Sequence, residues 1–96
     1  HEPYRVAELE HAVYATPLPA REDVIAAMRP YVEAHLAGGD RLQHISRHLL
    51  GLFQGLPGAR AWRRHLSENA HRVDAGWDVI ARALERRAEA GVERAA

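Results

Sequence analysis

"HISRHLLGLFQGLPGARAWRRHLSENAH" (44–71) decides how this chain is read. Its centre, "QGLPG" (54–58), has the composition of a turn, and helical patterns lie on both sides of it. Before the turn, Leu42, Ile45, Leu49, Leu52 and Phe53 follow one another at steps of three, four, three and one. At about 100° per residue these positions share one sector of a helix that starts near Asp40. After the turn, Ala59, Trp62, Leu66 and Ala70 repeat the pattern in a helix over 59–70. The polar residues gather on the other sides. Arg41, His44, Arg47, His48 and Gly51 lie opposite the first apolar stripe, while Arg60, Arg64, Ser67 and His71 form one stripe at i, i+4, i+7 and i+11, with Arg63 beside it.

Outward from this pair, the pattern stays helical and no stretch alternates long enough to be a strand. Asp40, with Gln43 three residues on, resembles a capping box for the helix that follows. A helix over 21–37 carries Val24, Ile25, Met28, Val32 and Leu36 inward, and Pro30 is expected to kink or split it. Upstream, "TPLP" (16–19) reads as a linker, after a short helix marked by Val6, Leu9 and Val13. Downstream, a helix over 75–90 turns Trp77, Ile80, Leu84 and Ala88 inward. Gly91 reads as its stop and "VERAA" (92–96) as a frayed tail. One apolar stripe per helix and short connections imply an all-α fold, a small antiparallel helical bundle of four to five helices. Phe53 and Trp62 are expected in its core.

Charge is sharply partitioned although the chain of 96 residues is neutral overall. Residues 1–40 carry −4, residues 41–72 carry +5 with four histidines, and residues 73–96 carry −1. Every one of the 13 basic residues is arginine, whose planar fork of donors suits phosphate. A basic third between acidic flanks predicts a located surface for a polyanion. Stripe geometry selects Arg41, His44, Arg47, His48, Arg60, Arg63, Arg64, His71 and Arg72 for it. Three other readings stay open. The bundle can be structural or a protein-interaction module, docking its basic face on an acidic partner or on another domain of the parent protein. The arginines can be ordinary solvent-facing residues of amphipathic helices. The two helices around "QGLPG" can also imitate a DNA-binding helix-turn-helix.

Chemistry within the chain is not expected. No cysteine is present, and His44 and His48 at i, i+4 lack the carboxylate or thiolate company of a zinc site. Ser67, His65 and Glu68 point in different directions around one helix, so no nucleophile meets its base. No glycine-rich phosphate loop follows a strand. No apolar run reaches the length of a membrane span, and a cytoplasmic location is expected. Beginning at His1, the chain reads as a piece of a longer protein.

The words "RHLLGLFQG" (47–55), "PGARAWRRHLSENAH" (57–71) and "REDVIAAMRPYVEAHL" (21–36) resemble the C-terminal helical domain of bacterial A-type tRNA-dihydrouridine synthases. The likeness covers about three quarters of the chain. Ser46 and Leu49 stand where Thr and Met are expected, Ala20 where a capping Ser is expected, and "RVDAG" (72–76) departs from the expected turn. The resemblance implies a two-domain parent. A flavin-binding barrel, with FMN, NADPH and a cysteine acid, reduces a D-loop uridine to dihydrouridine while a helical domain holds the tRNA. On that reading the partners are tRNA and the barrel in cis, and this chain binds no cofactor. Residues 1–16 are then the tail of the barrel plus a linker, 17–90 the tRNA-binding domain, and 91–96 a tail.

Overall fold

The computed structural model describes residues 18–95, with side chains from 21 to 92. Five helices run in the order α1 (Leu18–Ala26), α2 (Arg29–Ala37), α3 (Leu42–Ser46), α4 (Ala59–Asn69) and α5 (Trp77–Ala95). The fold is all-α, with no strand among the described residues. The expected helix before residue 17 and the barrel-tail assignment lie outside them. Two residues of the expected linker, Leu18 and Pro19, already belong to α1.

Pro30 splits the expected second helix. It sits in the first turn of α2, where a missing N–H goes unnoticed. The break between α1 and α2 is tight, with Met28 N–H donating to Ile25 O (3.0 Å) and Val32 N–H to Met28 O (3.0 Å). The capping box at Asp40 does not form. Arg41 is the N-cap of α3 and has no side-chain cap bond, because the Asp40 carboxylate instead meets His35 Nδ1 at 2.8 Å.

The expected third helix, read through to Phe53, ends at Ser46. The chain continues in successive turns, with His48 N–H on Ile45 O, Leu49 N–H on Ser46 O, Leu52 N–H on Leu49 O and Gln54 N–H on Gly51 O. The physical reason lies in the carbonyls. Trp62 Nε1 donates to Leu49 O at 2.8 Å, and Arg21 Nη1 donates to Leu52 O. Trp62 from α4 thus competes for the acceptor that Phe53 N–H would have used in a longer helix, Arg21 from α1 holds a carbonyl beyond that helix's last bond, and Gly51 adds a residue of low helix propensity there. The stripe nevertheless points as read: Leu42, Ile45, Leu49, Leu52 and Phe53 are all buried.

Trp62 and Phe53 lie at the centre of the core, both fully buried, edge to face with ring centroids 5.1 Å apart. Ile25, Met28 and Val32 pack from α1 and α2, Leu66 from α4, and Val79, Ile80 and Ala83 from α5. On α5 the inner face therefore centres on Val79, Ile80 and Ala83, with Trp77 and Leu84 half-buried at its edges.

α4 and α5 are antiparallel, since the start of α4 touches the far end of α5. A Cβ on Gly58 would sit 2.1 Å from Arg87 O. Gly91 does not stop α5. The helix runs through it to Ala95, and a Cβ added there would lie 3.4 Å from the Pro57 ring, in contact with it. Arg87 closes this corner. Its guanidinium lies 4.9 Å from the Phe53 ring centroid, donates to Pro57 O at 3.2 Å and meets Glu22 at 3.4 Å.

Gly58 and Gly55 share a positive φ, 82° and 79°, but only Gly58 is crowded. Gly58→Ala should therefore lower unfolding stability by about 3 kcal/mol or more, and Gly55→Ala by about 1–2 kcal/mol. Urea titration followed by circular dichroism measures both. Equal losses would mean that the Arg87 carbonyl yields without cost.

His65 sits half-buried between α4 and α5. Its pKa is lowered from the ordinary 6.5, first by burial and then by the Arg86 and Arg82 guanidiniums, against a smaller opposing pull from Glu68. The unfolded chain then binds a proton that the folded one resists. Stability must fall as pH drops through 6.5 toward the lower folded value. Melting temperature should accordingly decline from about pH 7.5 to about 5.5. His65→Gln should decline less steeply over the same interval.

Candidate nucleic-acid interface

All nine basic residues selected by spacing are exposed. Arg41 stands at the N-cap of α3, His44 within it, and Arg47 and His48 in the turns that follow. Arg60, Arg63 and Arg64 project from α4 because Trp62 and Leu66 fix the inner side of that helix. His71 and Arg72 lie in the turn after it.

The 41–50 segment and α4 run antiparallel, and this brings their polar edges together. At one end Arg41 Nη2 donates to His71 O at 2.7 Å. Next to that bond, Arg47 faces Ser67 and His71 across a shallow groove. One helical turn before Ser67 comes Arg63, which with Arg60 borders the 55–57 turn and Gly91. From Arg60 to His71 the edge is about 16 Å long at 1.5 Å per residue. His44 and His48 are exposed but do not line the groove toward α4. The nine residues thus form one main edge with outliers, rather than a uniform sheet of charge.

Their partners differ, and so does the charge they offer. Arg64 meets Glu68 at 3.2 Å, and Arg72 approaches Asp74 at 3.9 Å. Both pairs are exposed, so water screens them strongly. Arg41 spends one donor on the His71 carbonyl. Arg47, Arg60 and Arg63 form no ion pair with the described residues and keep their donor forks open. The other arginines with described side chains serve packing or pair within their own helix, as Arg29 does with Glu33 at 3.1 Å. Arg21 is buried against Leu52 and Phe53, Arg87 closes the α5 corner, Arg82 meets Glu85 at 2.6 Å, and Arg86 approaches Glu89 at 3.7 Å.

Phe53 and Trp62 have no face open to a base, so the edge offers hydrogen bonds and charge without a stacking platform. Two residues outside the nine stand on it. Ser67 belongs to the 60-64-67-71 stripe and was visible there, whereas Gln43 joins the groove only through the packing of α3 on α4. Among the described residues, no group of three His, Asp or Glu side chains converges as a metal site would need. No described helix is long and apolar enough to cross a membrane.

Such an edge can grip a run of phosphates, and comparison with known proteins gives it a context. The family model for dihydrouridine synthase (Dus) matches residues 1–89. The chain is 56% identical over 80 residues to a tRNA-dihydrouridine(20/20a) synthase of Shewanella oneidensis, covering 81% of this chain and 24% of that protein. It is 50% identical over 84 residues to the protein of the same name from Vibrio cholerae, covering 85% of this chain and 26% of that one. It is also 50% identical over 86 residues to that from Xanthomonas axonopodis pv. citri, covering 90% of this chain and 26% of that one. No solved structure matches. The chain spans about a quarter of the length of these relatives. Over that quarter, the match places the chain in the dihydrouridine synthase family.

Proposed function

We propose that this chain is the C-terminal helical domain of a tRNA-dihydrouridine synthase, and that it docks tRNA for a barrel in cis. The observation that carries the reading is the edge of α4, where Arg47, Arg60 and Arg63 stand exposed and without ion pairs among the described residues. Phosphate contacts of this kind fix the position of a nucleic acid without reading its sequence. A rigid helical surface suits a folded RNA whose target base must leave its stack elsewhere. The relatives are named for uridines 20 and 20a, and the parent is proposed to act at the same positions. FMN and NADPH, which supply the reducing chemistry, belong in this reading to the barrel. The described grooves are open and edged with arginine. In this reading the chain's own residues bind and orient the RNA, with Arg41, Arg47, Arg60, Arg63 and His71 along the edge. His44, His48, Arg64 and Arg72 flank it.

Binding of unmodified tRNA across a salt series tests the reading. Arg60→Glu with Arg63→Glu should weaken binding by about tenfold or more. It should also flatten the dependence of log affinity on log salt by about 1.5, since each lost phosphate contact removes about 0.7–0.9. Arg64→Glu should do less, because Glu68 already shares that charge. Circular dichroism should show helical content unchanged in both variants. An unaltered salt slope in the double variant would mean that the edge faces a protein or solvent instead.

A further inference from the structure

The groove between the 43–50 segment and the second half of α4 has a volume of about 230 Å³. Its floor is mostly apolar, made by Leu50, Leu66 and Ala70 with the buried Ser46, and its rim carries Gln43, Arg47, Ser67 and His71. The four rim side chains are exposed and make no hydrogen bond or ion pair with the described residues. The His71 carbonyl is held by Arg41, so the imidazole stands on an anchored backbone.

A bare phosphate needs charge and donors, and an apolar floor gives it nothing. A sugar ring needs both parts: a carbon surface to lie on and hydrogen-bonding groups at its edge. Ser67 Oγ donates and accepts, and a neutral imidazole offers one nitrogen of each kind. A ribose 2′-hydroxyl is likewise donor and acceptor, and it is the group that separates RNA from DNA. Arg47, on the same rim, has its guanidinium open for the phosphate next to such a sugar. Arg60 and Arg63 lie outside this groove, beside the 55–57 turn, and supply attraction that does not distinguish the two sugars.

We propose that this groove seats a ribose of the RNA backbone, with Ser67 and His71 on its 2′-hydroxyl and Arg47 on the adjoining phosphate, and that it selects RNA over DNA. The inference rests on the RNA-docking reading and adds a sugar-selective site to it.

The test measures binding of the 96-residue chain to an RNA hairpin, to the DNA hairpin of the same sequence, and to the RNA hairpin carrying 2′-O-methyl groups. The unaltered chain should prefer RNA by about tenfold, and methylation should remove most of that preference. Ser67→Ala with His71→Ala should weaken RNA binding by about five- to tenfold and DNA binding by clearly less, so that the RNA-to-DNA ratio falls. Arg60→Gln with Arg63→Gln should weaken both and keep their ratio. Equal affinity of the unaltered chain for RNA and DNA overturns the ribose site while leaving phosphate docking intact. So does a preference that survives both methylation and the Ser67/His71 double variant. If the unaltered chain binds none of the three, the docking reading falls with it. The methylated hairpin needs no variant, so a folding defect in the double variant does not obscure the result.

Discussion

The structure depends on one side chain, Trp62. Its indole fills the centre of the core and its N–H donates to the Leu49 carbonyl, so a single residue supplies both apolar burial and a polar tie. Burying an indole N–H without an acceptor would cost free energy, and the Leu49 carbonyl, which also accepts from Leu52 N–H, supplies that acceptor. The tie explains why α3 stops early. The carbonyl that Trp62 takes is one that a longer helix would have used. In exchange, the 47–53 turns lie flat enough on α4 for Leu49, Leu52 and Phe53 all to reach the interior. The register between the 41–50 segment and α4, and with it the facing of Arg47 toward Ser67 and His71, follows from that contact.

A second constraint fixes the other end of α4. Gly58 turns the chain through a left-handed conformation directly against the Arg87 carbonyl, and the Arg87 guanidinium then covers Phe53 and holds the Pro57 carbonyl. The first turn of α4 is therefore anchored on both sides. Arg60 and Arg63 project from that anchored turn, so their backbone positions are set by the core rather than by any contact of their own. Arginine thus has two separate employments here. Arg21 and Arg87 are drawn inward to an aromatic ring and to carbonyls, while Arg47, Arg60 and Arg63 are left outside with their forks open.

Much of this was legible in the sequence because the core stripes are strongly periodic. Leu42 to Phe53, Trp62, Leu66 and the division at Pro30 all fall where spacing puts them. What spacing did not give was tertiary in origin. Nothing local in "RHLLGLFQG" says that side chains from α1 and α4 will hold its carbonyls, so spacing alone extends the helix too far. Gly91 has the local look of a stop, yet the helix continues through it with Pro57 alongside. Asp40 has the local look of a cap, yet His35 takes its carboxylate. Stripe geometry could likewise name nine basic residues but could not rank them. Ranking needed the ion pairs at Arg64 and Arg72 and the bond from Arg41 to His71.

The acid-free run from 41 to 67 now has a physical interpretation. Exposed ion pairs contribute less than about 1 kcal/mol each, so a fold gives up little stability by leaving acids out of one edge. The same omission would strongly favour phosphate binding of the kind proposed. Every unpaired guanidinium that meets a phosphate releases counterions, and the gains combine across the edge. A carboxylate beside each arginine would have to be displaced, and would repel a polyanion as well. Small stability cost and large binding effect together make the one-signed edge intelligible as a docking surface. On the flanks α5 shows the contrast: Arg82 and Arg86 keep their glutamates within one turn and are proposed to take no part.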